Sequence, residues 1–176
     1  MRGLVGLLLF TACGGEELTC ELLADPNNCW AKASAAMAAC IPTRATPGTL
    51  AADRKTCSFP DGVRVVFDTP LPTDTFDLER LAFDVEANGT RCARFVDTFA
   101  NRMELTAGGE TVISELHPNR DFHLHCPDED YETSFDTLFT CRPPAYAPTD
   151  GFDVTATSFM FSLSATTTPG VLFSCM

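Results

Sequence analysis

Lys55-Thr56-Cys57-Ser58-Phe59-Pro60-Asp61-Gly62-Val63-Arg64-Val65-Val66-Phe67 is the stretch on which the fold turns. Apolar residues alternate on both sides of Pro60-Asp61-Gly62, the pattern of two half-buried strands joined by a tight turn. A two-residue Asp-Gly turn sets Cys57 and Phe59 opposite Val66 and Arg64. A three-residue Pro-Asp-Gly loop instead pairs Phe59 with Val63 and Cys57 with Val65. Only the second register gathers Cys57, Phe59, Val63, Val65 and Phe67 on one face. Burial selects it, because a slip of one residue sends every side chain to the opposite face.

Similar patterns continue downstream. Leu81-Ala82-Phe83-Asp84-Val85 alternates ahead of Asn88-Gly89, whose residues accept the positive φ of a two-residue turn. That register sets Val85 opposite Cys92 on the inner face and Glu86 opposite Arg91 outside, a favourable cross-strand pair. Gly108-Gly109 closes a hairpin of Met103–Ala107 with Glu110–Ser114. Phe122, Leu124 and Cys126 share a face, as do Phe159, Phe161 and Leu163, and finally Val171, Phe173 and Cys175. About eight strands of one-sided apolarity need a facing layer, which predicts an antiparallel β-sandwich or partly open barrel over residues 49–176. The aromatic residues are mostly Phe, 14 against two Tyr and one Trp, and alternate with polar residues as core positions do.

Upstream, residues 20–42 read as a short helical hairpin packed on that domain, so the fold class is α+β, mainly β. Asp25-Pro26 is a helix start signal, the Ala-rich run Cys29–Cys40 has high helix propensity, and Pro42 ends it. Cys29, Ala33, Ala36 and Cys40 fall on one helical face. Cys29 and Cys40 lie roughly 16 Å apart along that helix and cannot bond to each other, so the face is expected to dock through two separate disulfides.

The chain has 176 residues, 12 Lys plus Arg against 24 Asp plus Glu, a net charge of -12, and nine cysteines. The length suits one domain with a real core. The acidity argues against nucleic acid as a partner, since phosphate binding needs a basic face. So many cysteines point to an oxidising compartment.

The N-terminus specifies the compartment further. Arg2 precedes an apolar run, Gly3 to Phe10, in the manner of a signal peptide, and the run is far short of the ~18–20 residues that span a bilayer. Leu9-Phe10-Thr11-Ala12-Cys13 resembles the lipobox of a bacterial lipoprotein precursor, with Phe10 where Leu is usual. The resemblance covers only the first fifteen residues or so. It implies a signal peptide over residues 1–12, lipidation at Cys13, and a short lipidated tether over 13–19. With no Asp after Cys13, it implies sorting to the outer membrane over the inner. Loss of Arg2 leaves 11 basic and 24 acidic residues, a net of -13. It also leaves an even set of disulfide candidates: Cys20, Cys29, Cys40, Cys57, Cys92, Cys126, Cys141 and Cys175. Adjacent links such as Cys40–Cys57 and Cys126–Cys141 are the first to consider.

Candidate chemistry is sparse. The three histidines are His117, His123 and His125. Asp121, His123 and His125 share the strand face opposite Phe122 and Leu124. His at i and i+2 can reach one zinc or copper ion, with Asp121 or His117 as a third ligand. Such a pair also suits a plain solvated strand face. Asp128, Asp130 and Glu132 suggest calcium, but the EF-hand pattern needs Gly and Glu where Thr133 and Phe139 stand. No Gly-x-Ser-x-Gly elbow or Gly-rich phosphate loop is present. With the membrane anchor and bacterial envelope that the lipobox resemblance implies, the expectation is a non-catalytic binding or structural module with no cofactor. The membrane is its partner through the anchor, and another envelope or extracellular protein is a candidate ligand. The alternative is a metal-binding protein or metal-dependent hydrolase using His123 and His125. The loop Arg142–Gly151 suggests a third role, as a displayed inhibitor or adhesin loop.

Overall fold

A computed structural model describes residues 16–41, 46–98, 101–134, 136, 151–162 and 171–176. Two helices, α1 (Cys20–Ala24) and α2 (Cys29–Cys40), follow a two-residue strand β1 (Glu16–Glu17). Then come β2 (Thr49–Leu50), β3 (Thr56–Ser58), β4 (Arg64–Phe67), β5 (Leu81–Ala87), β6 (Thr90–Asp97), β7 (Arg102–Ala107), β8 (Glu110–Leu116), β9 (Asp121–His125) and β10 (Asp130–Ser134). Among the described residues these strands form one ten-stranded sheet in the order β1-β10-β9-β8-β7-β6-β5-β4-β3-β2. Every pairing is antiparallel except β1 on β10. A second sheet holds β11 (Gly151–Val154), β12 (Phe159–Ser162) and β13 (Val171–Cys175).

The Pro60-Asp61-Gly62 hairpin adopts the register that burial selects. Cys57 faces Val65, and Phe59 N donates to Val63 O at 2.9 Å. All five inward residues of that hairpin are buried. The face extends across the sheet through Phe67, Phe83, Phe95, Leu105 and Val112 in successive register, then through Leu124 and Tyr131. Sheet β11–β13 supplies the facing layer. Its Phe159 meets Phe67 with ring centres 4.9 Å apart, and its Phe161 meets Phe83 at 5.0 Å and Phe95 at 4.8 Å, all edge-on as aromatic quadrupoles prefer. One parallel bridge, Gly48 to Cys175, links the two sheets, and they do not close into a barrel. More strands are present than periodicity alone counted, because two-residue strands such as β1 and β2 carry no period to detect.

The helical hairpin forms with different details. Asn28, not Asp25-Pro26, caps α2: its Oδ1 accepts from Ala31 N at 2.8 Å. Asp25 turns the link between helices, accepting from Asn27 N at 2.8 Å. The buried residues of α2 are Trp30, Ala31, Ala33, Ser34 and Met37, while Cys29, Ala36 and Cys40 flank them half-buried. Trp30, as the largest side chain of α2, rotates the buried face toward itself. Gly108, with φ of 66°, sits where a Cβ would come within 3.1 Å of Ala36 Cβ, so the β7–β8 turn approaches α2 closely. Glu16 and Glu17, expected as tether, are built into the sheet, and Leu18 N donates to Glu132 O at 3.0 Å.

Four further expectations are corrected. Val85 faces Ala93, not Cys92, because the β5–β6 ladder shifts register between Val85 and Glu86. Glu86 still pairs with Arg91, so Cys92 is the extra residue of a bulge. Cys126 bonds to Cys29 and Cys57 to Cys175, which excludes Cys126–Cys141 and Cys40–Cys57. Cys20 is disulfide-bonded as well, whereas Cys40 and Cys92 stand as thiols. Helix α2 therefore docks through one disulfide and one thiol contact. Phe76, on the 3-10 turn Thr75–Asp77, is 97% exposed, an exception to the reading of Phe as core. Cys13, Cys141, Pro42, Leu163 and most of the loop Arg142–Gly151 lie outside the described residues.

Candidate functional site

The outer face of β8, β9 and β10 gathers all three histidines. Alternation on β9 buries Phe122 and Leu124 and turns His123 and His125 outward. The turn after β8 returns His117 to the same face. His117 N donates to Asp121 O at 2.8 Å, Arg120 N donates to His117 O at 2.9 Å, and Arg120 takes a φ of 70°. The rings form a row, with His117 and His123 centred 4.2 Å apart and His123 and His125 5.9 Å apart.

Cross-strand pairing supplies their carboxylates. Glu115 on β8 faces His123, and Asp130 and Glu132 on β10 face His125 and His123. Glu115 Oε2 lies 3.5 Å from His117 Nε2 and 3.6 Å from His125 Nε2, so one oxygen bridges two rings. Asp130 Oδ1 is 2.9 Å from His125 Nδ1, and Glu132 Oε1 is 3.8 Å from His123 Nε2. Arg102 Nε donates to Glu115 Oε1 at 2.6 Å. Burial works to raise the Glu115 carboxyl, but the hydrogen bond and charge of Arg102, helped by His125 and His117, hold it below the usual carboxylate range.

Of the two third members expected, the structure brings His117 to His123 and His125. Asp121 instead accepts from the amide of Asn119 in the turn. Glu115, Asp130 and Glu132 are the members that strand periodicity did not single out, since their proximity comes from register with β9. An Asp130 contact at His125 Nδ1 leaves Nε2 directed toward Glu115. This is the orientation in which a carboxylate-held imidazole serves as a metal ligand. The donor set, imidazole with carboxylate, suits zinc or copper. In the arrangement as it stands, no three His, Cys, Asp or Glu side chains among the described residues converge as a metal-holding group.

The acidic run 126–132 is engaged in contacts of its own. Cys126 N closes the β9–β10 turn on Glu129 O at 2.8 Å, Asp130 engages His125, and the Tyr131 hydroxyl donates to Glu129. That hydrogen bond, with burial behind it, pushes the Tyr131 hydroxyl up to about 12. Beside this turn a cleft of about 330 Å³ opens between the helices and the sheet, lined by Asp25, Asn28, Lys32, Glu110, Glu129 and Tyr131 among others. No helix among the described residues is long and apolar enough to cross a membrane. Comparison of the chain with protein-family models, curated proteins and solved structures finds no match.

Proposed function

We propose that the chain is a membrane-anchored extracytoplasmic lipoprotein of the bacterial envelope, its domain a non-catalytic binding or structural module. The cross-linked core carries this reading. Cys57–Cys175 and Cys29–Cys126 join residues 118 and 97 positions apart, and disulfides at such separations belong to oxidising compartments. The lipobox-like start at Leu9–Cys13 supplies the anchor. Two residues, Gly14 and Gly15, separate Cys13 from Glu16, and the three steps reach at most about 10 Å, so a lipid on Cys13 holds the β1–β10 edge near the bilayer surface. Metabolic labelling with a fatty-acid probe tests the anchor. Label is expected on the wild type and absent from Cys13→Ala; an unlabelled wild type overturns the reading.

A second reading, a metal-binding protein or metal-dependent hydrolase, draws on one observation: Glu115 Oε2 sits between His117 and His125 Nε2 atoms. Small side-chain rotations would turn these groups onto one zinc or copper ion. Calorimetric titration with zinc and copper is expected to show binding in the micromolar range, weakened at least tenfold by His125→Ala and by His123→Ala. No heat with either metal removes this reading and leaves the anchored module untouched.

A further inference from the structure

Among the described residues, two cysteines take no part in the disulfide framework, and the fold brings them together. Cys40 is the last residue of α2, and Cys92 is the extra residue of the β5–β6 bulge. Helix α2 lies across the inner face of β5–β8, and the bulge turns Cys92 toward it. Helix α2 packs on β6, and the Cys40 and Cys92 side chains are neighbours there, both half-buried against the core. The bulge is what permits this meeting. In an unbroken ladder Cys92 would face Val85 in the fully buried layer; displaced by one residue, it stands at the margin beside the helix terminus.

We propose that Cys40 and Cys92 form a reversible dithiol–disulfide couple that ties the C-terminal end of α2 to the sheet. The oxidant is a disulfide, either of a small thiol compound or of a thiol-oxidising protein. Cys92 as thiolate attacks one sulfur of that disulfide, forming a mixed disulfide and releasing one thiolate. Cys40 then loses its proton and attacks Cys92 Sγ, releasing the second thiolate. Two protein thiols are oxidised by two electrons, and the incoming disulfide is reduced to two thiols. Burial, with the hydrogen bond and charge of Cys92, pushes the Cys40 thiol up to about 12, consistent with Cys40 as the second, resolving group. The couple is distinct from the Cys57–Cys175 bond, whose two residues have no exposed surface. Cys40 and Cys92 are only half-buried, so their bond opens before Cys57–Cys175 under a reductant.

The test uses the full chain in detergent, mildly reduced and then incubated with oxidised glutathione. Free thiols are blocked with a maleimide, and peptides are mapped without reduction. The expected result is a peptide linking Cys40 to Cys92, with both maleimide adducts lost. A rising concentration of reductant is expected to open this link before Cys57–Cys175. In Cys40→Ser, Cys92 is expected to retain a glutathione adduct, because nothing resolves it. Three results overturn the proposal: both thiols still reacting with maleimide after oxidation, either cysteine linked elsewhere, or the link opening only together with Cys57–Cys175. The wild-type peptide map decides alone if Cys40→Ser fails to fold.

Discussion

Arg54 shows how much of the assembly rests on single side chains. It takes a φ of 57°, and its guanidinium donates to Leu71 O at 2.8 Å, Ala156 O at 2.6 Å and Thr155 O at 2.8 Å, joining the β2–β3 turn to the β11–β12 turn. Hydrogen bonds from a charged group are the stronger kind, and these are part-buried or exposed, so Arg54→Ala is expected to cost about 1–2 kcal/mol in urea unfolding. Gly48 works by having no side chain. A Cβ there would overlap Cys57 Sγ, and the Gly48–Cys175 bridge carries backbone bonds of 2.8 and 2.9 Å to Ser174 O and from Met176 N. Neither disulfide nor bridge can yield, so Gly48→Ala is expected to destabilise; an unchanged melting temperature would contradict that packing. Ser34 is the converse case. It is fully buried in α2 with its hydroxyl unpartnered, so Ser34→Ala, which removes a desolvated polar group and raises helix propensity, is expected to stabilise by about 0.5–1 kcal/mol. None of these three roles was legible in the sequence, because each depends on a neighbour distant along the chain.

At the scale of elements, turns and alternation were the legible part. The Asn88-Gly89 and Gly108-Gly109 turns both take positive φ; the second hairpin pairs as its sequence specifies, and the first does so only as far as Glu86 with Arg91. The bulge at Cys92 escaped, since one extra residue leaves both flanking patterns intact. The outer face of the same strands carries a charge ladder. Arg94 on β6 lies 2.9 Å from Asp84 on β5 and 2.8 Å from Asp68 beyond β4, with Arg80 and Arg91 at its margins. The hydrogen bond from Arg94, against some burial and with the charges of Arg94 and Arg80, lowers the Asp68 carboxyl. A carboxyl lowered in the folded state contributes stability that is complete above its unfolded pKa, about 4, and is lost as pH falls through the folded value. Arg94→Met is therefore expected to be less stable than wild type at pH 7, with the gap narrowing as pH drops below about 4. Parallel stability curves from pH 7 to 3 would remove Asp68 as the source.

For the whole molecule, the disulfides decide how the layers are held. Cys57–Cys175 ties the edge of the large sheet to the last strand of the small one, and Cys29–Cys126 ties α2 to the β9–β10 turn. Loop-closure entropy assigns about 4–5 kcal/mol to a cross-link of such separation. A Cys57→Ala/Cys175→Ala variant is expected to lose about that much by urea unfolding, and a loss below about 1 kcal/mol would show that sheet packing alone seats β13. The histidine row belongs to this scale as well. His123 and His125 were legible as neighbours because they share one strand. Glu115, His117, Asp130 and Glu132 join them only through the order β8-β9-β10.

By itself the sequence determined the strands, most hairpin registers, the apolar face of each and the helix-forming run before them, because period and turn stereochemistry are local. It also carried the cysteine count, the acidic balance and the lipobox-like start. Only the tertiary structure decided which cysteines meet, how α2 turns its face, and which carboxylates surround the histidines. Those choices depend on contacts between residues up to 118 positions apart, which a reading of adjacent residues does not contain.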